Sequence, residues 1–383
     1  MTQFPASSGK KVQKTMLQAL MRYSLIALVL LSPAASAAEP IKLKLAFITS
    51  DRAELYQSVI GPFVDAVNKD AKGLIEIEVY FSGVLGGLPQ PPQLVLDGVA
   101  DIGTIVSTHF KDRFPDDAVL ELPGLFDNAR EATLCYTGLI RANAFAGYEE
   151  FFVIGAFSFG PGTVHSRQRL TSLSELKGMK ISATSTIEAT VLQRLGAVSK
   201  VLPVPQTMDA IGAGGIDGAV VPPSAFAAFG IGRVTSYHYL LRVSASPIAL
   251  VMNRKKFDSL PEQAQSVIRK YSGEWIAARF VARWQVLEIE ELERIKSNAR
   301  RTTTFPLSMD IDAAHAIFQS VNEEWIKKSP GNSQLLTMVE KELTKLRSTP
   351  RIDDIPMPSS FRSIDREGGQ LIGPIRAIVL KKG

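Results

Sequence analysis

From residue 41 onward, short apolar strands alternate with amphipathic helices, and this alternation limits the fold more than any other feature of the sequence. A strand over 41–47 has its apolar side chains on one face, and apolar residues at helical spacing follow over 53–69. Gly73 ends that pattern, and 74–80 forms a second alternating strand. A strand, a helix and a strand in succession build a parallel sheet, so the sequence predicts an α/β protein.

The alternation continues far enough to build two domains. Further strands are predicted over 100–106, 151–157, 179–182, 217–221 and 246–253, and helices over 90–97, 129–145, 187–195 and 207–213, with 200–205 extended. The strand over 246–253 is expected to return to the first sheet. A chain of 383 residues suits two domains, since single domains commonly hold about 100–200 residues.

A long helix is predicted to connect the two domains. Pro261 suits a first helical turn, and the helical pattern then continues to Asn298. Its apolar stripe consists of Trp275, Ala278, Val281, Trp284 and Leu287. At about 1.5 Å per residue, such a helix is long enough to contact both domains. A further helix is predicted over 310–327.

The first 37 residues have the features of a secretory signal peptide. Four basic residues and no acidic ones precede an apolar run over 23–31, and Ala35-Ser36-Ala37 then fits the pattern that signal peptidase cleaves. A membrane anchor is the alternative, but the apolar run is about half of the roughly 20 residues that a spanning helix needs. We therefore expect cleavage after Ala37, export to the periplasm and a soluble protein that is not embedded in the membrane.

Charge and cysteine content exclude several classes of partner and chemistry. Without the signal peptide the chain has 39 basic and 38 acidic residues, a net charge of about +1, which gives no reason to expect binding to nucleic acid. Cys135 is the single cysteine, so no intramolecular disulfide can form. It lies in a helix-like stretch, and we expect it to be buried and unreactive.

No catalytic or cofactor motif is found. The sequence has neither a Gly-x-Ser-x-Gly turn nor a His-Glu-x-x-His motif, and the glycine cluster over 212–218 lacks the spacing of a dinucleotide-binding loop. The four histidines are not at metal-ligand spacing. Acidic residues at 116–117 and 149–150 are assigned to loops, and Glu288, Glu290, Glu291 and Glu293 to solvated helix faces. We therefore predict no enzymatic activity, no metal and no cofactor.

Five segments, in order, resemble the substrate-binding subunits of tripartite ATP-independent periplasmic (TRAP) transporters. The matching segments are 80–86 with Gln93 and 98–101, then 122–126, then 176–182 with 195–197, then 203–218, and finally 260–265. The most specific is Leu176-Lys-Gly-Met-Lys-Ile-Ser182. The resemblance covers about residues 41–345.

The resemblance implies a periplasmic binding protein fold of type II-like form, in which two α/β lobes close on a solute and a long helix spans both. The solute would be delivered to the permease subunits of a TRAP transporter, and many family members bind organic acids such as four-carbon dicarboxylates. The expected divisions are a signal peptide over 1–37, a first lobe over 38–160 and about 247–286, a second lobe over 161–246 and about 287–348, and a proline-rich, basic C-terminal extension over 349–383.

This sequence departs from the family at three polar positions. Ser182 occupies the place of an arginine that pairs with the ligand carboxylate, Val221 that of an asparagine, and a second arginine of some members falls near Gly162. Either another arginine reaches the ligand, with Arg52, Arg167 or Arg169 as candidates, or hydroxyls and aromatic rings hold a ligand that lacks the usual carboxylate contact. The hydroxyls at 182–186 favour the second interpretation, although those at 184–186 could instead cap the following helix.

In open α/β sheets, ligands bind outside the carboxyl ends of the strands, and this rule selects the other candidate residues. The full set of predicted ligand-binding residues is Ser182, Thr184, Ser50, Ser107, Phe159, Thr163, Val221, Ser224, Arg52 and His165. An importer of the ABC type, a signalling receptor and a periplasmic enzyme such as a deaminase or lyase could use the same two lobes, and they stay as alternatives.

Overall fold

The computed structural model describes residues 39–87 and 92–348, which form two α/β lobes, each built on its own sheet. The predicted signal peptide and the C-terminal extension lie outside the described residues. Among the described residues, no helix combines the length and the apolar character that crossing a bilayer requires.

The first lobe is built on a five-stranded sheet. Its strands, in spatial order, are β2 (Ile75–Tyr80), β1 (Ile41–Ala46), β3 (Ile102–Ile105), β10 (Ser246–Asn253) and β4 (Phe151–Phe159). Strand β1 is parallel to β2 and β3, while β10 is antiparallel to β3 and β4. The predicted return of 246–253 to the first sheet is therefore confirmed.

The second lobe is built on a six-stranded sheet. Its strands, in spatial order, are β11 (Thr302–Thr304), β9 (Tyr237–Tyr239), β5 (Thr163–Ser166), β8 (Gly218–Val221), β6 (Lys180–Ala183) and β7 (Val198–Val201). Strand β6 is parallel to β7 and β8, and β5 is antiparallel to β8 and β9. Strands β5, β9 and β11 were not predicted, because their sequences (Thr-Val-His-Ser, Tyr-His-Tyr and Thr-Thr-Thr) contain neither an apolar run nor an alternation that extends over four residues or more.

Eleven α-helices cover the sheets within the described residues. They are α1 (Gly61–Asp70), α2 (Pro92–Leu96), α3 (Ala129–Arg141), α4 (Thr186–Arg194), α5 (Val204–Gly212), α6 (Pro223–Ala228), α7 (Arg254–Asp258), α8 (Glu262–Tyr271), α9 (Glu274–Lys296), α10 (Ser308–Lys328) and α11 (Pro330–Ser348). A π-helical turn over Tyr56–Ile60 precedes α1. Helix α5 begins earlier than predicted, because Pro203 and Pro205 fit its start, where no amide donor is needed.

The predicted single helix from 261 to 298 is wrong, because the chain breaks between α8 and α9. Gly273 has a φ of +61°, which residues with a side chain rarely adopt, and its amide donates to the Ile154 carbonyl at 2.8 Å. Apolar side chains repeat at helical spacing on both sides of Gly273, because α8 and α9 pack on the same hydrophobic cluster of the first lobe. Helix α9 still spans the two lobes, since Phe280 packs in the first and Ile295 in the second.

Two crossing segments and two helices connect the lobes. The crossing segments, 160–162 and 240–245, hydrogen-bond to each other through the Gly162 amide and the Ser244 carbonyl at 3.0 Å. Helix α10 packs on the second lobe, and α11 packs back on the first lobe beside Cys135. Cys135 is buried as predicted, and burial raises the pKa of its thiol to about 12. The numerical lobe boundaries given above stay a prediction.

Candidate functional site

A cavity of about 650 Å³ lies between the two lobes and is called the interlobe cavity here. From the first lobe it is lined by residues 108–113, which follow β3, and from the second by 184–186, Val201 and Pro203, which follow β6 and β7. The carboxyl ends of parallel strands from both sheets therefore meet at one space. Ligands of open α/β sheets bind at such ends.

The second-lobe rim is shaped by the start of helix α4. The Ser185 hydroxyl accepts a hydrogen bond from the Glu188 amide at 3.2 Å, and so caps the helix. The Glu188 carboxyl in turn accepts from the Thr184 amide at 2.6 Å and from the Thr184 hydroxyl at 3.0 Å. The capping interpretation therefore applies to Ser185. The Thr184 hydroxyl uses its proton in the hydrogen bond to Glu188.

The first-lobe rim supplies two cationic side chains. The Lys111 ammonium donates to the Thr186 hydroxyl of the other lobe, so this contact crosses the cavity. Arg113 donates to Glu150 at 2.6 Å and lies 5.1 Å from the centre of the Phe151 ring. Neither residue is among the ten predicted from the sequence. Their charge, in the segment that follows the end of β3 at Ile105, is the signal that could have identified them.

Two buried acids lie behind this rim. Glu121 of the first lobe is 2% exposed, and burial raises the pKa of its carboxyl to about 8, an effect that the nearby charge of Glu188 increases and that hydrogen bonds to Thr108 and Ser185 oppose. Burial also raises the pKa of Glu188 to about 7, and Ser244 donates to it at 3.0 Å. At neutral pH Glu121 is therefore mainly protonated, and its hydrogen bond with Ser185 joins the first lobe to the second.

We expect the free energy of unfolding to fall as the pH rises from 5 to 8. The folded pKa of Glu121 is above its value of about 4.3 in the unfolded chain, so the folded state holds the extra proton between these values and loses this stabilisation as the pH rises through 8. Glu121→Gln places a neutral group at this position at every pH. It should reduce the fall in the free energy of unfolding between pH 5 and 8 by a few kcal/mol. Urea titrations at three pH values test this.

Glu340→Gln is the control for that series, because Glu340 is exposed. It removes a carboxylate of the same kind from the surface and should leave the pH dependence unchanged. Equal slopes for the wild type and Glu121→Gln would contradict the assignment of the proton to Glu121.

Most of the chain matches one known protein family. Residues 45–328 match the DctP family, described as bacterial extracellular solute-binding protein, family 7. The chain belongs to this family. The resemblance found in the sequence is thereby confirmed, and the protein is an extracytoplasmic solute-binding protein that captures a small solute for a TRAP-type permease.

Similar structures include TRAP solute-binding proteins with bound acids. A marine metagenome protein specific for aromatic acid ligands, solved with metahydroxyphenylacetate and with 3-hydroxybenzoate, is 25% identical with a TM-score of 0.72, covering 80% of this chain and 99% of that one. A protein of Rhodoferax ferrireducens T118 with copurified benzoate is 23% identical, has a TM-score of 0.72, and covers 80% and 98%. An uncharacterized Haemophilus influenzae protein is 25% identical over 227 residues, which are 57% of this chain and 67% of that protein.

Of the ten predicted site residues, Thr184 lines the interlobe cavity of this solute-binding protein. Ser107 is buried directly before the lining segment, and Phe159 packs at 5.6 Å from the Trp284 ring, between ring centres. Ser50 and Arg52 are exposed in the loop after β1.

The remaining predicted residues belong to the second lobe and do not line the interlobe cavity, although Thr163 lines a second cavity described below. Ser182 is 2% exposed on β6 and is paired with Ala219 of β8, while Val221 and Ser224 are buried at and after the end of β8. Thr163 is buried at the start of β5, with its hydroxyl 3.2 Å from the His165 ring.

His165 forms a buried pair with a second histidine. Its Nδ1 lies 2.8 Å from Nδ1 of His238, and burial lowers the pKa of His165 well below its ordinary value, so the ring is neutral. Both of its ring nitrogens have contacts within the second lobe, since Nε2 faces Thr163. The solute-binding protein thus uses His165 to connect strands β5 and β9.

Two of the arginines considered as replacements for the missing one are far from the cavity. Arg167 pairs with Asp217 at 3.4 Å and Arg169 with Glu175 at 3.0 Å. Asp217 precedes β8 and also accepts from the Lys180 amide at the start of β6. These arginines therefore lie by the amino ends of the strands whose carboxyl ends form the cavity.

The prediction that acidic residues lie in loops or on solvated helix faces was wrong for three of them, which are buried or accept hydrogen bonds from other segments. Asp117 is fully buried and accepts from Tyr148 at 2.6 Å, and burial raises its pKa to about 6. Glu288 is half-buried and accepts from the Gly160 amide at 3.2 Å, and Glu291 is buried beside Arg294. Backbone amides and tyrosines from distant segments create these environments, which the local sequence does not show.

Within residues 39–87 and 92–348, no group of three or more His, Cys, Asp or Glu side chains could hold a metal ion. None of the buried acids described above forms a hydrogen-bonded pair with a histidine or lysine at the interlobe cavity. The polar groups that line the cavity are hydroxyls, the His109 imidazole, the Asp112 carboxylate, the Lys111 ammonium and the Arg113 guanidinium. The two cationic groups outnumber the one carboxylate, which suits reversible binding of an anion.

Proposed function

We propose that this protein captures a small organic acid in the interlobe cavity and releases it unchanged to its permease. The observation that carries the proposal is the facing of Lys111, from the first lobe, and residues 184–186, from the second, across one cavity. In this proposal the mature protein begins after cleavage behind Ala37 and acts in the periplasm.

Lys111 supplies the positive charge that Ser182 cannot supply in place of the family's arginine. A carboxylate between the lobes would accept from the Lys111 ammonium and would lie near the amino end of α4, where the helix dipole also favours negative charge. Lysine is a compact charge without the planar fork of arginine. A carboxylate can therefore bind the Lys111 ammonium from more directions than it could bind an arginine.

Aromatic acids are the first solutes to test. Phe110, Val201 and Pro203 give the cavity an apolar wall against which a ring can pack. The marine metagenome relative, with 25% identity, is specific for aromatic acid ligands. Both observations support an aromatic monocarboxylate over a highly hydroxylated sugar acid.

Capture follows from closure of the lobes. Because the cavity is lined from both sides, a solute makes its full set of contacts only when the lobes are together, and its binding shifts the population toward that state. The crossing segments 160–162 and 240–245 and helix α9 connect the lobes and would bend in this motion. No covalent step is involved.

A thermal-shift and calorimetric screen tests the proposal. Benzoate-like acids, four-carbon dicarboxylates and uronates are compared with the amide of each acid. At 100 times its Kd, a ligand stabilises the folded protein by about 2.7 kcal/mol. We expect an acid to bind and its amide to bind at least tenfold more weakly. Binding of neutral solutes alone would instead support the second candidate, a ligand held by hydroxyls and aromatic rings.

The enzyme alternative has a separate test. The proposal expects that any solute bound by the purified protein is recovered unchanged, by mass spectrometry, after prolonged incubation. Conversion of the solute that scales with protein concentration would overturn this part of the proposal.

A further inference from the structure

A second cavity of about 580 Å³ lies where helix α9 passes the crossing segments, and it is called the hinge groove here. It is lined by the first lobe at Phe126 and Asp127, by Leu240 of a crossing segment, and by the second lobe at Pro306. No residue that lines the interlobe cavity also lines the hinge groove.

Large apolar side chains are exposed in the hinge groove. Ile289 of α9 is 55% exposed and Phe305 is 59% exposed, and both line it. Leu307 and Met309, directly after Phe305, are also exposed. Apolar side chains grouped in this way commonly indicate an interaction surface.

The described chain ends at the rim of this groove. Arg347, one residue before the end of α11, donates to the Leu125 carbonyl at 3.2 Å and to Asp127 at 3.5 Å. Asp127 lines the hinge groove. The chain after Ser348 therefore continues from a helix end whose Arg347 side chain contacts one edge of the hinge groove, at Asp127.

The sequence after Ser348 contains an apolar segment of its own. Residues 371–380 carry Leu371, Ile372, Ile375, Ile378, Val379 and Leu380. The 22 residues between Ser348 and Leu371 could span up to about 75 Å when extended, at about 3.4 Å per residue, so the length of the connection sets no limit. The family match ends at residue 328, so this segment lies outside it.

We propose that residues 371–380 of the same chain bind in the hinge groove and cover Ile289 and Phe305. Burial of apolar surface on both partners drives this contact, at roughly 25 cal/mol per Å². Attachment to α11 at the groove's rim keeps the segment at a high local concentration. The proposal is independent of the solute and of the interlobe cavity.

Disulfide trapping in the full chain tests the proposal. Ile289→Cys is combined with Ile378→Cys, and the native Cys135 does not compete because it is buried. Val198→Cys with the same Ile378→Cys is the matched control, since Val198 is 61% exposed at the edge of the second lobe. We expect the intramolecular disulfide to Ile289→Cys to form at least tenfold faster than that to Val198→Cys.

Maleimide labelling of Ile289→Cys provides a second measurement. We expect labelling to become at least fivefold faster when Ile375→Asp and Ile378→Asp are added to the full chain, because the charges displace the segment. Equal trapping rates at the two positions, unchanged labelling, disulfides that form mainly between molecules, or preferential trapping by Val201→Cys in the interlobe cavity would each overturn the proposal.

Discussion

Replacing Gly147 with alanine is expected to lower the free energy of unfolding by about 3 kcal/mol or more. Gly147 has a φ of +92°, a conformation that costs a residue with a side chain about 1–2 kcal/mol. An added Cβ would lie 1.9 Å from the Arg113 carbonyl oxygen and 3.0 Å from the Phe114 ring. The first of these atoms is backbone, so the chain itself must move. Urea unfolding measures the loss.

Gly73→Ala is the matched control for this prediction. Gly73 has a φ of +83°, but nothing lies within 4 Å of an added Cβ. Only the conformational cost should appear there, about 1–2 kcal/mol. Equal losses at both positions would show that the contact with Arg113 is not what requires glycine at 147.

The same substitution should also weaken solute binding. Arg113 ends the segment over 108–113 that lines the interlobe cavity, and the Gly147 backbone packs directly on its carbonyl. A displaced segment moves Lys111 away from the second lobe. The control Gly73→Ala lies at the far end of the first sheet and should leave the affinity unchanged.

The long strands of the fold were predictable because their burial is periodic or complete. In β1, Leu43 and Leu45 are fully buried while Lys42 and Lys44 are exposed, which is the alternation that the sequence shows. Strand β11 consists of three threonines and therefore shows no alternation of apolar and polar side chains. It is a strand only because β9 lies beside it, and such pairing is a tertiary effect.

The candidate site was predictable as a location but not as a set of side chains. The carboxyl-end rule selected Ser107, which lies directly before the segment that lines the interlobe cavity, and the hydroxyl cluster at 182–186 indicated Thr184, which lines it. Ser182 was predicted from its place in the family resemblance, yet the structure packs it, and the predicted His165, within the second lobe. Which way a side chain near a strand end points depends on strand register and on how the lobes meet, and neither is encoded locally.

Lys111→Ala should weaken the binding of an organic acid by about 10- to 100-fold. A hydrogen bond to a charged group contributes about 1.5–3 kcal/mol, which corresponds to this range. Lys111→Arg keeps the charge and should retain most of the affinity. Lys72→Ala removes an exposed lysine from the same lobe and is the matched control, with less than a twofold change expected. Isothermal calorimetry on all four proteins measures these effects.

The neutral amide of the same acid separates two roles of Lys111. If the ammonium binds the carboxylate, Lys111→Ala weakens binding of the acid by the full 10- to 100-fold factor. Binding of the amide then stays nearly unchanged, because a neutral amide forms no ion pair with the ammonium. If Lys111 acts only through its contact with Thr186, then it stabilises the closed lobes for any solute, and acid and amide lose affinity equally. Thr186→Val removes that interlobe contact while keeping the ammonium, so it should reproduce the second pattern. An equal loss for acid and amide with Lys111→Ala would reject the carboxylate contact and leave closure as the role of this residue.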